Sequence, residues 1–169
     1  IRLMSGLLSI QNFSSSLIGD ESLSKRPMKR IIDPLAKMGA NISGTMEDTL
    51  PLHITPSKKI NGINYKMPVA SAQVKSAILF ASLGVRGDTK IIEKSISRDH
   101  TERMFEYFGA NISFSETETT LKETDKFTSQ NIEIPGDFSS SAFFIVAALI
   151  SKNSDITLKE VGMNPSRIA

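Results

Sequence analysis

The sequence contains no cysteine and only two histidines among its 169 residues. Without cysteine there can be no disulfide, no thiolate nucleophile and no Cys-based zinc site. The same absence fits a reducing cytoplasm. His53 and His100 are too few and too widely separated to suggest a metal cluster. No apolar run approaches the roughly eighteen residues that a membrane-spanning helix needs. Neither sign of charge dominates: 20 Lys and Arg face 18 Asp and Glu, for a formal net charge of +2. So small an excess, with basic residues not interleaved with aromatics, argues against nucleic acid as a partner. The opening residues, IRLMSGLLSIQ, have neither the basic lead-in nor the cleavage site of a signal peptide. Leu3, Met4, Leu7 and Leu8 fall at helical spacing, so the start reads as mid-helix and the chain as a piece of a longer protein.

What the sequence does contain is a repeat. KRPMKRIIDPLAKMGANISG (25–44) and SRDHTERMFEYFGANISF (97–114) share Gly-Ala-Asn-Ile-Ser, with Gly39 and Gly109 70 residues apart. In each copy an amphipathic helix should stop at glycine, the usual left-handed C-terminal cap, and a strand should follow. Pro27 suits a first helical turn, Pro34 should kink the helix or shift its start, and Asp99 with Glu102 has capping-box spacing. An apolar helix and a strand precede each copy: IRLMSGLLSIQ and SSLIGD in the first, VKSAILFASL and DTKIIEKSI in the second. Two strands follow: ISGTM and LHIT, then NISFSE and TTLKE. With KKINGINYKMP opening the second copy, the unit is β-α-β-α-β-β, and the first copy lacks its opening strand. A third copy begins at IEIPGDFSSSAFFIVAALI (132–150), with a strand expected near DITLKEV. Alternation at this spacing predicts an α/β (α+β) fold with helices packed under sheets. The first helix of each unit, apolar nearly all round, should be central, and the second should lie nearer solvent.

Three stretches invite a functional reading. In MPVASAQVKSAILF, Ser71, Gln73 and Lys75 crowd the start of a core helix. Simple capping would leave Ser71 as the cap, Gln73 solvated and Lys75 along the surface. Alternatively, free N–H groups and the positive end of the helix dipole there form a seat for phosphate. Ser139, Ser140 and Ser141 repeat the theme in the third copy. In GDESLSKRPMKR, Lys25, Arg26, Lys29 and Arg30 crowd a helix start, where cations are disfavoured. A guanidinium beside open N–H groups suits an anion, and Arg26 is the first candidate. In SISRDHTERM, Ser97 and Arg98 stand where Ser24 to Arg26 stand in the earlier copy, which makes Arg98 a candidate second phosphate contact.

GDESLSKRPMKR, ASAQVKSAILFASL, SRDHTERMFEYFGA and PGDFSSSAFFIVAALI together resemble the motifs of the 5-enolpyruvylshikimate-3-phosphate synthase family, in the family's order through essentially the whole chain. SLSKRPMKR and SAQVKSA look more like the bacterial branch that includes glyphosate-tolerant members. The resemblance implies transfer of the enolpyruvyl group of phosphoenolpyruvate to the 5-hydroxyl of shikimate 3-phosphate, releasing phosphate, with no metal or organic cofactor. It implies a monomeric two-domain enzyme of aromatic amino acid biosynthesis, each domain built from three β-α-β-α-β-β units. Residues 1–134 would then be part of the shikimate-phosphate-binding domain, and 135–169 the crossover and the start of the second.

By the same resemblance, Ser71, Ala72, Gln73 and Arg98, with Ser97 a weaker candidate, match the shikimate 3-phosphate contacts. Ala72 replaces a serine of other branches, so one hydroxyl contact is lost. Arg26 matches the arginine that grips phosphoenolpyruvate and would also meet glyphosate. The family's N-terminal lysine and its acid/base carboxylates find no match here. No catalytic residue is therefore assigned, and the chain alone is expected to be inactive. Arg2, Lys75, Asp137 and Ser139–Ser141 receive no role. Two other readings remain: a non-catalytic anion-binding module of the same fold, and the sister enzyme acting on UDP-N-acetylglucosamine, which fits less well because it usually carries a reactive loop cysteine. The apolar AFFIVAALI would be a sticky patch favouring self-association.

Overall fold

A computed structural model describes every residue except Asp125 and Ala169, with nothing described for the side chains of Arg167 and Ile168. The chain divides into two compact units, Ile1–Thr128 and Ser129–Ala169.

The first unit holds both complete helical pairs of the repeat. Helix α1 (Arg2–Ser9) leads to β1 (Ser15–Leu17), a short α2 (Glu21–Ser24), α3 (Lys29–Met38), β2 (Asn41–Ser43) and β3 (Leu52–Thr55). The second copy runs β4 (Asn64–Lys66), α4 (Ala72–Ala81), β5 (Thr89–Ile92), α5 (His100–Tyr107), β6 (Ile112–Phe114) and β7 (Glu118–Leu121). The strand orders are β1-β3-β2 and β4-β5-β7-β6. Set side by side, β1-β3-β2 and β5-β7-β6 are one antiparallel arrangement used twice. Strand β4 is parallel to β5 across the α4 crossover, and its counterpart is the strand that the first copy lacks. The β-α-β-α-β-β unit read from the sequence is therefore the unit of the fold.

Both glycine caps are present, and they match bond for bond. Gly39 has φ 104° and Gly109 φ 82°. The Ala40 amide donates to the Leu35 carbonyl at 3.0 Å, and the Ala110 amide to the Phe105 carbonyl at 2.9 Å. That six-to-one bond is the Schellman closure, which places the residue after each glycine in line to start a strand.

Several local expectations need correction. Pro27 lies before the helix, because Met28 is the N-cap and α3 starts at Lys29. Pro34 sits buried inside α3, so it does not set the start of that helix. Asp99 is the N-cap of α5, but its side chain makes no cap bond; it accepts from Arg103 Nε at 2.8 Å. Helix α2 is absent from the sequence reading; there the Asp20 carboxylate caps the Leu23 amide at 2.7 Å.

Helix α4 is central as expected, burying Val74, Ala77, Ile78, Leu79 and Ala81. Helix α1 is not buried through its leucines. Its inward face is Ser5, Gly6 and Ser9, while Leu3 and Met4 are exposed. Only a face of small residues lets α1 approach α4 so closely that Gly6 meets the Ala77 carbonyl. The Ser5 and Ser9 hydroxyls stay satisfied by donating to the carbonyls of Ile1 (3.1 Å) and Ser5 (2.7 Å). Around this helix pair, Met28, Ile31, Leu35, Leu52, Met67, Ile78, Leu79, Ile91 and Leu121 form one core.

The second unit is dominated by α6 (Phe138–Ile150), followed by a last turn, α7 (Pro165–Ile168). Phe143, Phe144, Leu149 and Ile150 are exposed along α6. The strand expected near DITLKEV does not form: 155–160 has no strand pairing, and Val161 makes only an isolated bridge with Gly136. One bridge supplies too few backbone bonds to define a strand.

Candidate functional site

The site grows from the first turn of α4. Ser71 is the N-cap, in extended conformation (φ −160°, ψ 109°), and its hydroxyl makes no cap bond. The first helical bond runs from the Lys75 amide to the Ser71 carbonyl at 3.0 Å. The amides of Ala72, Gln73 and Val74 thus have no acceptor within the helix. By contrast, α6 is closed by its own residues: Asp137 accepts from the Ser139 amide at 3.2 Å and the Ser140 amide at 3.0 Å. The serine cluster of the third copy is therefore part of a helix cap, with Ser141 donating to the Asp137 carbonyl at 3.2 Å.

Gln73 is half-buried and engaged at one end, not simply solvated. Its Oε1 accepts a hydrogen bond from Arg2 Nη1, which leaves the amide NH2 as the free donor. Arg2 also reaches the Pro27 carbonyl through Nη2 at 3.5 Å. Burial, and then the positive charges of Arg30 and Arg26, push the Arg2 guanidinium below its usual pKa. Arg2, bonded to Gln73 at the uncapped helix start, thus feels the positive charge of Arg30 and Arg26, and an anion placed beside it would offset that charge. Behind Arg30 lies a hollow of about 480 Å³ whose walls include Pro27, Tyr65, Met67, Pro68 and Val74. None of Ser71, Gln73, Arg26 or Arg98 lines it.

Arg2 is the residue that sequence reasoning left without a role. A signal existed: Arg2 opens α1 as Ala72 opens α4, at the same 70-residue offset as the paired glycines. Arg26 lies in the turn between α2 and α3, two residues before the Met28 cap.

Ser97 and Arg98 precede the N-cap of α5. Arg98 is exposed, whereas the Ser97 hydroxyl is shielded and finds no hydrogen-bond partner among the described residues. Among the described residues no hydrogen bond or ion pair joins Arg98 to Ser71, Gln73 or Arg26. The segments that carry Ser71–Gln73 and Arg98 are instead tied together one turn deeper. Ser76 Oγ and Thr101 Oγ1 lie 2.7 Å apart, linking α4 to α5. Lys75, expected at the surface if α4 were merely capped, is 2% exposed. Its ammonium meets Glu93 Oε2 and Glu102 Oε1, each at 2.6 Å. Glu102 is thus drawn into the core as an ion-pair partner and has no part in a capping box.

His53 shares a hydrogen bond of 3.0 Å with Ser16 across β1 and β3. Among the described residues no group of three or more His, Cys, Asp or Glu is placed to hold a metal ion. No helix among them is long and apolar enough to cross a membrane.

Comparison with known proteins agrees throughout the chain. The family model for EPSP synthase (3-phosphoshikimate 1-carboxyvinyltransferase) matches residues 1–169. The chain is 53% identical over 166 residues to the 3-phosphoshikimate 1-carboxyvinyltransferase of Leuconostoc citreum, covering 98% of this chain and 38% of that protein. It is 52% identical over 169 residues to the enzyme of the same name from Petrotoga mobilis, covering 99% and 39%. Among solved structures, EPSP synthase from Acinetobacter baumannii superimposes with a TM-score of 0.85 at 47% identity, covering 97% of this chain and 38% of that one. The chain therefore spans less than two-fifths of the length of the curated relatives it matches. The repeat, the fold and the whole-length match lead to one conclusion: the chain belongs to the EPSP synthase (3-phosphoshikimate 1-carboxyvinyltransferase) family.

Proposed function

We propose that this chain forms the shikimate 3-phosphate-holding wall of an enolpyruvyl transferase working in the cytoplasm. In the reaction, the methylene of phosphoenolpyruvate is protonated, and the 5-hydroxyl of shikimate 3-phosphate adds to C2. The 5-hydroxyl proton is lost as the tetrahedral intermediate forms, and the intermediate then loses phosphate from C2 together with a proton of the new methyl group, which restores the C=C bond. The part assigned to this chain is binding and orientation, which supply catalysis by holding the reacting groups in register. Residues 1–134 would carry this wall, and 135–169 would open a second domain.

In this assignment the Ser71 hydroxyl and the open amides at Ala72 and Gln73 hold the sugar-acid phosphate, together with Arg98 and the unpartnered Ser97 hydroxyl. Gln73, its oxygen held by Arg2, presents its NH2 to the ring hydroxyls. Arg26 takes the carboxylate or phosphate of phosphoenolpyruvate, and glyphosate in its place. The observation that carries the reading is the Arg2 guanidinium, bonded both to Gln73 at the uncapped start of α4 and to the carbonyl of Pro27, the residue after Arg26. No acid/base residue is assigned in the chain, so turnover by the chain alone is not expected.

The test is calorimetric titration of the chain with shikimate 3-phosphate. A charge-assisted bond to phosphate contributes about 1.5–3 kcal/mol, so Arg98→Ala should weaken binding by roughly ten- to a hundredfold. Arg26→Ala should leave that ligand largely unaffected and instead weaken glyphosate or phosphoenolpyruvate added to the complex. Equal losses of shikimate 3-phosphate in both variants would defeat the division of roles.

A further inference from the structure

The Lys75 ammonium and the Glu93 and Glu102 carboxylates form a triad sealed from water, with side chains 1–3% exposed. As a stabilising device it is poor. One ammonium faces two carboxylates, and among the described residues Glu93 Oε1 and Glu102 Oε2 are buried without hydrogen-bond partners. The remaining contact is long: Thr119 Oγ1 donates to Glu102 Oε1 at 3.5 Å. A half-satisfied buried network costs desolvation that it does not recover, and apolar residues of similar volume commonly do as well or better for stability.

What the triad does provide is direction. Lys75 is two residues from Gln73 on the first turn of α4. Glu93 directly follows β5 and lies four residues before Ser97. Glu102 lies on the first turn of α5, four residues after Arg98. The Glu93 amide is itself fixed on the Thr117 carbonyl at 2.8 Å. Apolar packing is non-directional and tolerates sliding. Two short ion pairs from one nitrogen do not, so they set the separation between the Ser71–Gln73 turn and the Ser97–Arg98 turn.

We infer that Lys75, through Glu93 and Glu102, is a positioning residue that fixes the spacing of the two phosphate-binding turns. This rests on the shikimate 3-phosphate reading of the site. The ligand would then be gripped by groups pre-set at the phosphate's width, which saves the cost of ordering them on binding.

The test variant is the apolar triad Lys75→Met, Glu93→Leu, Glu102→Leu, since Lys75→Met alone leaves two buried carboxylates unpaired and is expected to unfold. The triple variant should melt within a few degrees of the parent chain. It should bind shikimate 3-phosphate at least about tenfold more weakly. The amides at positions 93 and 103, held on the Thr117 and Asp99 carbonyls on either side of 95–98, should exchange with solvent faster, while the Ala40 amide in the other repeat stays protected. A merely structural triad would shift melting and exchange everywhere together. A folded triple variant with unchanged affinity, or with the amides at positions 93 and 103 exchanging no faster than in the parent, overturns the inference. Failure of the parent chain to bind shikimate 3-phosphate would instead defeat the proposed function, and exchange of the amides at positions 93 and 103 would still decide whether the triad holds the segment between them.

Discussion

The two copies of the repeat share a backbone and differ in how they fill it. Helices α1 and α4 start 70 residues apart, precede equivalent strands and pack against each other. Yet α1 turns Ser5, Gly6 and Ser9 inward, whereas α4 buries Ile78, Leu79 and the charged Lys75. The second copy also builds an aromatic cluster, with Phe105 edge-on to Phe80 at 5.3 Å and to Phe127 at 5.8 Å. The first copy relies on Ile31, Leu35 and Leu52. A duplicated fold thus keeps what the backbone demands, the glycine caps and the sheet order, and leaves side chains free to diverge. When two like helices must touch, one of them has to be thin. Here α1 is thin, and α4 carries the bulk, the buried charge and an uncapped first turn.

This contrast can be broken most directly at the helix contact. A Cβ on Gly6 would run into the Ala77 carbonyl, a backbone atom that cannot step aside. Gly6→Val should therefore cost about 3 kcal/mol or more, read as a fall in the urea midpoint, because overpacking forces backbone shifts. Next in size is the difference between the two apolar inventories. Leu79→Ala in the thick helix, at a fully buried site, should cost about 2–5 kcal/mol, whereas Leu3→Ala in the thin one, 37% exposed, should cost well under about 1.5 kcal/mol. Equal losses would mean that α1 buries its leucines after all.

The caps give the finest comparison. Gly39→Ala and Gly109→Ala each force a side chain into the left-handed region, at roughly 1 kcal/mol. At Gly39 the added Cβ also meets the Lys59 carbonyl, while at Gly109 the nearest atom is Thr128 Oγ1 at 3.5 Å. The first substitution should lower the melting temperature more. Matching shifts would show that the Lys59 segment yields freely.

Much of this was legible in the residues. The strands that were expected in the first unit formed, because alternation and turn signals act over a few residues. Pro27 misled because a proline that suits the first helical turn fits the turn before it equally well. Asp99 and Glu102 have capping-box spacing, but spacing does not reveal that a buried lysine 27 positions upstream claims the glutamate. DITLKEV has strand composition and no strand pairing, since a strand exists only through its neighbours.

From the sequence alone came the 70-residue repeat, its β-α-β-α-β-β order, the glycine stops and the family resemblance. Each of these is written in neighbouring residues or in the order of motifs. Only the tertiary structure brought Arg2 onto Gln73, 71 positions away, buried Lys75 between two carboxylates and showed α1 to be the thin helix of its pair. Those facts depend on which faces meet once the two copies pack. A local pattern carries no record of its distant partner.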